Sequence, residues 1–167
     1  MSVITADFTF RLSGGAANAD ANAALGGAKS STAVSASVDA LFDSVSAAEA
    51  VAGDVEYRCI YLHNANGADT MTAARVWVSA NTPLAGTTLE IGVGTSAVNG
   101  TEQTIANEST APAGVTFSAP SAAASGLALG NIPAGQHKAI WLRRTVTAGS
   151  GNSANDTWTL GFDAETT

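Results

Sequence analysis

VEYRCIYLH, Val55 to His63, is the stretch that decides the fold. It is dense in β-branched and aromatic residues, which fit a pleated, packed surface. Strand alternation puts Tyr57, Cys59 and Tyr61 on one face and Ile60 and Leu62 on the other. Asn64-Ala65-Asn66-Gly67 follows, and Asn-Gly tolerates the positive φ of a tight hairpin turn. Beyond it MTAARVWVSA, Met71 to Ala80, reads as a second strand closed by Asn81-Thr82-Pro83.

Working outward, Thr87 to Val93 alternates cleanly, with Thr87, Leu89, Ile91 and Val93 against Thr88, Glu90 and Gly92. Asn99-Gly100 marks a turn before Thr101–Ile105, and Val115–Phe117 and Leu127–Leu129 are short strand candidates. Ile132-Pro133-Ala134-Gly135 turns into QHKAIWLRRTVT, Gln136 to Thr147. After a polar loop, Thr157–Phe162 directs Trp158, Leu160 and Phe162 inward. Towards the N-terminus, Phe8, Phe10 and Leu12 share a face opposite Asp7, Thr9 and Arg11. Val38 to Ala52 fits a short helix or turn with Ser37 as N-cap, or a short strand at Leu41–Val45; the helix or turn is the preferred reading. About eight short strands punctuated by Gly, Asn and Pro predict an all-β chain, an antiparallel sandwich or small barrel. The 167 residues fit a single domain, 1–167.

Ser13 to Ser37 stands apart. It is mostly Ala, Ser, Asn and Gly, and Leu25 and Val34 are its only large apolar residues. Such a segment cannot bury a core of its own, so 13–37 is expected to be an extended arm or long loop.

The strands carry more apolar surface than one sheet face needs. Ile140, Leu142 and Val146 face one way, while Trp141 beside Arg143 faces the other; Val76 and Val78 similarly oppose Arg75 and Trp77. Three accounts are open: the arm folds over the second face, Trp141 stacks on arginines at the surface, or the face is a subunit interface. Trp and Arg are enriched at interface hot spots. The interface account therefore names Leu25, Val34, Trp77, Trp141 and Arg143.

Charged residues make up only 13% of the chain, about half the usual quarter, and the formal net charge is −7. Without a basic excess, nucleic acid and anionic membrane surfaces are disfavoured partners. The single Cys59 excludes an internal disulfide and reads as a small buried hydrophobe on a strand. The opening Met1–Asp7 has neither the basic nor the apolar region of a secretory signal, so synthesis in the cytosol is expected. The glycan-acceptor patterns at Asn99, Asn107 and Asn155 then amount to polar loops.

Catalytic and metal chemistry find little support. No Ser sits in a nucleophile elbow, and Cys59 and His63 share a face but stand about 13 Å apart along it. Asn18, Asp20 and Asn22 imitate the start of a calcium loop, but Ala23 replaces the required Gly and Lys29 the required Glu. Gly26-Gly27-Ala28-Lys29-Ser30 lacks the Gly-Lys adjacency of a phosphate loop. No cofactor, no metal and no enzymatic activity are expected.

Several phrases resemble a group of tailed-bacteriophage virion proteins. They are Leu12–Ala16 with Leu25–Gly27, Leu41–Asp43, Gly53–Asn64, Glu90–Gly94, Asn99–Ile105 and Ile140–Arg144. The later part, from Ile132-Pro133 through the Trp141 and Trp158 strands, also resembles immunoglobulin-like surface domains. The resemblance implies an immunoglobulin-like or jelly-roll β-sandwich in a virion structural protein, foremost a capsid decoration or cement subunit. It would bind the major capsid protein and copies of itself, as a trimer, and reside in the virion. The alternative is a tail or baseplate module that binds a receptor or carbohydrate.

Overall fold

The computed structural model describes residues 5–35, 40–81, 86–150 and 157–166. Among them, nine strands form antiparallel sheets with one short helix. In chain order these are β1 (Phe8–Leu12), β2 (Gly26–Gly27), α1 (Ala47–Ala52), β3 (Asp54–Asn64), β4 (Met71–Ala80), β5 (Thr87–Val93), β6 (Glu102–Thr104), β7 (Leu127–Ile132), β8 (His137–Val146) and β9 (Thr159–Thr166). One sheet runs β1-β3-β8-β5, a second β7-β4-β9, and β2 pairs with β6. The sheets do not close into a barrel.

The four-stranded sheet is regular. β3 and β8 stay in register from Asp54↔Val146 to His63↔His137, and β8 and β5 from Thr87↔Val146 to Val93↔Ile140. The three-stranded sheet is not: β4 slips register against both neighbours near Met71–Ala74, where Ala73 takes φ 52°.

The main core lies between these two sheets. Ile60, Leu62, Leu89, Ile91, Ile140 and Leu142 come from the first, and Met71, Val76, Val78, Leu129 and Ile132 from the second. Each such side chain contributes about 1.5–3 kcal/mol relative to exposure. Phe162 of β9 stacks on Phe8 at 4.7 Å and meets Phe10 edge-on at 5.8 Å, which ties the chain's last strand to its first.

Several local readings change. The helix is capped by Ser46 rather than Ser37, which lies outside the described residues. Ser46 and Glu49 form a reciprocal capping box, so two otherwise orphaned N–H groups find acceptors there. Val115–Phe117 is not a strand; that segment contributes only a bridge from Ser118 to Ile91. The turn after β3 is built by asparagine side chains rather than by positive φ. Asn64 Oδ1 accepts from Asn66 N, and Asn66 Oδ1 accepts from Ala68 N and Asp69 N.

Candidate functional site

The outer face of the β1-β3-β8-β5 sheet carries Tyr57, Cys59, Tyr61, Ala139 and Trp141, all buried. What covers them is the arm, together with the segment after β5. Leu25, Ile105, Val115 and Phe117 pack against this row. The arm is stitched down by its backbone: Cys59 N donates to Ala24 O at 2.7 Å and Ile105 N to Leu25 O at 3.0 Å. The Tyr61 hydroxyl donates to Gly27 O at 2.5 Å and accepts from Glu102 N at 2.9 Å. Close approach makes Gly26 obligatory, since at φ 93° a Cβ there would lie 1.9 Å from Gln103 O.

The five interface candidates lie in different surroundings. Trp141 is fully buried beneath this cover. Arg143 is committed to Glu90 and lies over the Phe117 ring at 5.0 Å. Leu25 packs on the Trp141 row, and Val34 packs against the main core with its N–H donated to Phe10 O at 2.8 Å. Trp77, like Arg143, keeps partial exposure. It projects from β4 on the outer side of the β7-β4-β9 sheet, half-buried. Its indole packs against Gly161 of β9, where a Cβ would come within 2.2 Å of the ring. Exposed Arg75 precedes it on the same face of β4.

One buried group of residues is not named among the sequence candidates. At the end of the main core, buried Arg144 pairs with buried Glu56 and donates to Asp43 O, and Asp43 Oδ1 lies 3.4 Å away. Arg58, also fully buried, donates to Asn22 Oδ1 at 3.0 Å, Leu41 O at 3.0 Å and Glu108 Oε2 at 2.5 Å. The Phe42 ring contacts both guanidinium groups, at 5.4 Å from Arg58 and 5.1 Å from Arg144. Burial pushes the Glu56 carboxyl up, against the pull of Arg144. The available signal was parity: Glu56 and Arg58 share the face of Ile60 and Leu62, and Arg144 that of Leu142. Nearby lies a depression of about 380 Å³, lined by Asn22, Leu25, Asp43, Ala106, Asn107 and Glu108. Two of its polar lining side chains, Asn22 and Glu108, already accept from Arg58.

The chemistry-bearing side chains are structural in their surroundings. Burial pushes the Cys59 thiol far up, away from the thiolate form a nucleophile needs. Burial likewise pushes Tyr61 up to about 12. Burial would raise Glu102, but hydrogen bonds from Ser96 N and the Thr95 hydroxyl, both 2.9 Å, outweigh it and hold the carboxyl at about 2. In the calcium-loop look-alike, Asn18 Nδ2 donates to Ser13 O at 2.6 Å, Asp20 caps Asn22 N at 2.9 Å, and Asn22 serves Arg58. Among the described residues no three His, Cys, Asp or Glu side chains gather as metal ligands. No family model, curated protein or solved structure matches the chain.

Proposed function

We propose that this chain is a bacteriophage structural virion protein, a capsid decoration or cement subunit that works by binding alone. The observation that carries the reading is the unequal treatment of the two sheets' outer faces. One is closed by the chain's own arm; the other displays Trp77 on its Gly161 seat beside exposed Arg75. A large aromatic next to an arginine is the pairing enriched at protein–protein hot spots, because both bury much surface on binding. The immunoglobulin-like or jelly-roll sandwich then serves as a rigid mount, with the major capsid protein and sister copies, as a trimer, as partners. The virion-protein resemblance of Gly53–Asn64 and Ile140–Arg144 supports the same reading.

Co-sedimentation with purified phage shells that lack the protein tests it. Wild type should bind saturably, and Trp77→Ala should weaken binding at least about ten-fold while its circular dichroism spectrum stays unchanged. Equal binding by the variant removes the Trp77 face from the proposal. The tail-module alternative draws on the same feature, since a half-buried indole at the surface also suits a sugar ring. Saturable binding to a glycan panel, abolished in Trp77→Ala and without shell binding, would favour it.

A further inference from the structure

Arg58, Arg143 and Arg144 are each paired with a carboxylate, yet among the described residues four other basic groups stand together with no ion pair to an acid. His63 and His137 are register partners on β3 and β8, and Thr9 of β1 completes their row. In the next row on the same face, Arg11 of β1 sits opposite Tyr61. Rows two residues apart on a strand are separated by about 7 Å, so these side chains share one patch. The arm adds a fourth member. It crosses this face where Gly27 O accepts from the Tyr61 hydroxyl, and Lys29 follows two residues later, before Ser30 N returns to Leu12 O at 2.8 Å.

Each of the four is half-buried. Arg11 Nη1 donates to Ser31 O, but its Nε is buried with no partner, as is His137 Nδ1. Lys29 Nζ reaches only Ser30 O, at 3.4 Å. His63 Nδ1 lies 3.2 Å from Gln136 O. The surrounding charged groups are engaged elsewhere. Asp7 accepts from Asn66 Nδ2 at 3.1 Å, Glu102 is held by Thr95 and Ser96, and Lys138 donates to Gly94 O at 3.0 Å and to Ser96 O. Burial and the neighbouring Lys29 lower both histidines, and burial with Arg11 lowers Lys29. The crowding is therefore felt by Lys29 and both histidines. It is unexpected in a chain with 14 acidic residues against 7 Lys and Arg, which has acids to spare for neutralising it.

We propose that Arg11, Lys29, His63 and His137 form a binding site for a compact oxyanion of the phosphate class. A tetrahedral dianion offers several acceptor oxygens and enough charge to relieve four mutually repelling donors. Two permanent cations and two titratable imidazoles on a chain of net charge −7 cannot track a polyanion, so the occupant is a small group rather than a nucleic acid. The site does not depend on the virion reading. Histidine protonation couples to occupancy, since a bound anion favours both imidazolium forms.

Inorganic phosphate titrated into the full chain at pH 6, with ionic strength fixed by NaCl, tests this through the ring signals of His63 and His137 in NMR spectra. Saturable shifts of both rings, with their pKa values raised by the anion, are expected. Lys29→Gln, an arm variant whose fold is checked by its amide spectrum, should weaken binding at least about ten-fold. Acetate should shift the same signals more weakly. Linear, non-saturating shifts matching those from NaCl, or full affinity in Lys29→Gln, would overturn the proposal.

Discussion

The two main sheets treat their outer faces in opposite ways. On β1-β3-β8-β5 the ladder is unbroken, the outer row is Tyr57, Cys59, Tyr61 and Trp141, and the chain closes over it. On β7-β4-β9 the ladder is bulged, the outer row of β4 is Ala73, Arg75, Trp77 and Ser79, and all four retain exposure. Both rows contain a tryptophan, yet one is structural and the other is displayed. A sheet whose second face is apolar at its centre needs a cover, whereas a row that alternates aromatic with polar residues tolerates water. The arm is thus part of the domain's stability rather than an appendage.

Removing the cover should have the largest effect. Deleting Gly14 to Ser35 strips the Trp141 row of Leu25, removes the Gly27 acceptor of Tyr61 and takes Asn22 from Arg58. The expected outcome is a sharply lower melting temperature with aggregation in thermal melts. A truncated chain that melts like the full chain would break the comparison. Trp141→Ala should follow, at about 3–5 kcal/mol for a fully buried aromatic. Trp77→Ala, which strips only the surface over Gly161, should cost about 1 kcal/mol. Urea denaturation of the two variants side by side gives the difference directly; equal losses would mean the faces are not distinct.

Part of this was legible from sequence. The double apolar character of Val55–His63 and Gln136–Thr147 is plain in their alternation, and it demanded a cover. That the arm supplies it remained one of three accounts, because arm and sheet meet through backbone bonds such as Cys59 N to Ala24 O, which leave no side-chain signature. Leu25 was visible as an anchor, but whether it sat on its own chain or another was not. The Glu56–Arg144 pair escaped for a different reason. Charges on a strand are ordinarily read as solvent-facing, and only the long-range register Glu56↔Arg144 brings these two together. Phe42 and Asp43, which enclose them, come from a stretch that left helix and strand both open.

A smaller effect concerns pH and the second layer. Glu102 holds the segment after β5 in place, and its folded carboxyl is depressed to about 2 from an ordinary 4.5. A depressed carboxyl stabilises the fold above its unfolded value; that contribution declines as pH falls from about 4.5 and is gone below about 2. The lowered histidines act earlier, since an unfolded chain binds their protons more readily and so gains on the native state below about pH 6.5. Melting temperature should therefore fall in two stages on acidification. Glu102→Gln should lower stability at neutral pH and flatten the second stage only. A variant with the wild-type slope between pH 4.5 and 2 would assign the acid loss elsewhere.

The smallest effect sits on the open sheet's bulge. Ala73 is an exposed non-glycine residue at φ 52°, and its N–H is taken by Asn131 Oδ1 at 3.0 Å. The left-handed conformation costs an L-residue about 1–2 kcal/mol. Replacing it with glycine removes that strain but adds about 0.4–1 kcal/mol of unfolded-chain entropy. Ala73→Gly should therefore stabilise by about 0.5 kcal/mol. Ala73→Val should do the reverse and by more, because a β-branched side chain tolerates positive φ poorly. Both side chains project into solvent, so packing changes little and the contrast isolates the backbone. If the bulge is what twists β4 and presents Trp77, Ala73→Val should also weaken whatever binds that face, while Ala73→Gly leaves it intact. Paired denaturation curves and binding assays on the two variants measure both halves; equal stabilities would show that β4 adopts another conformation at residue 73.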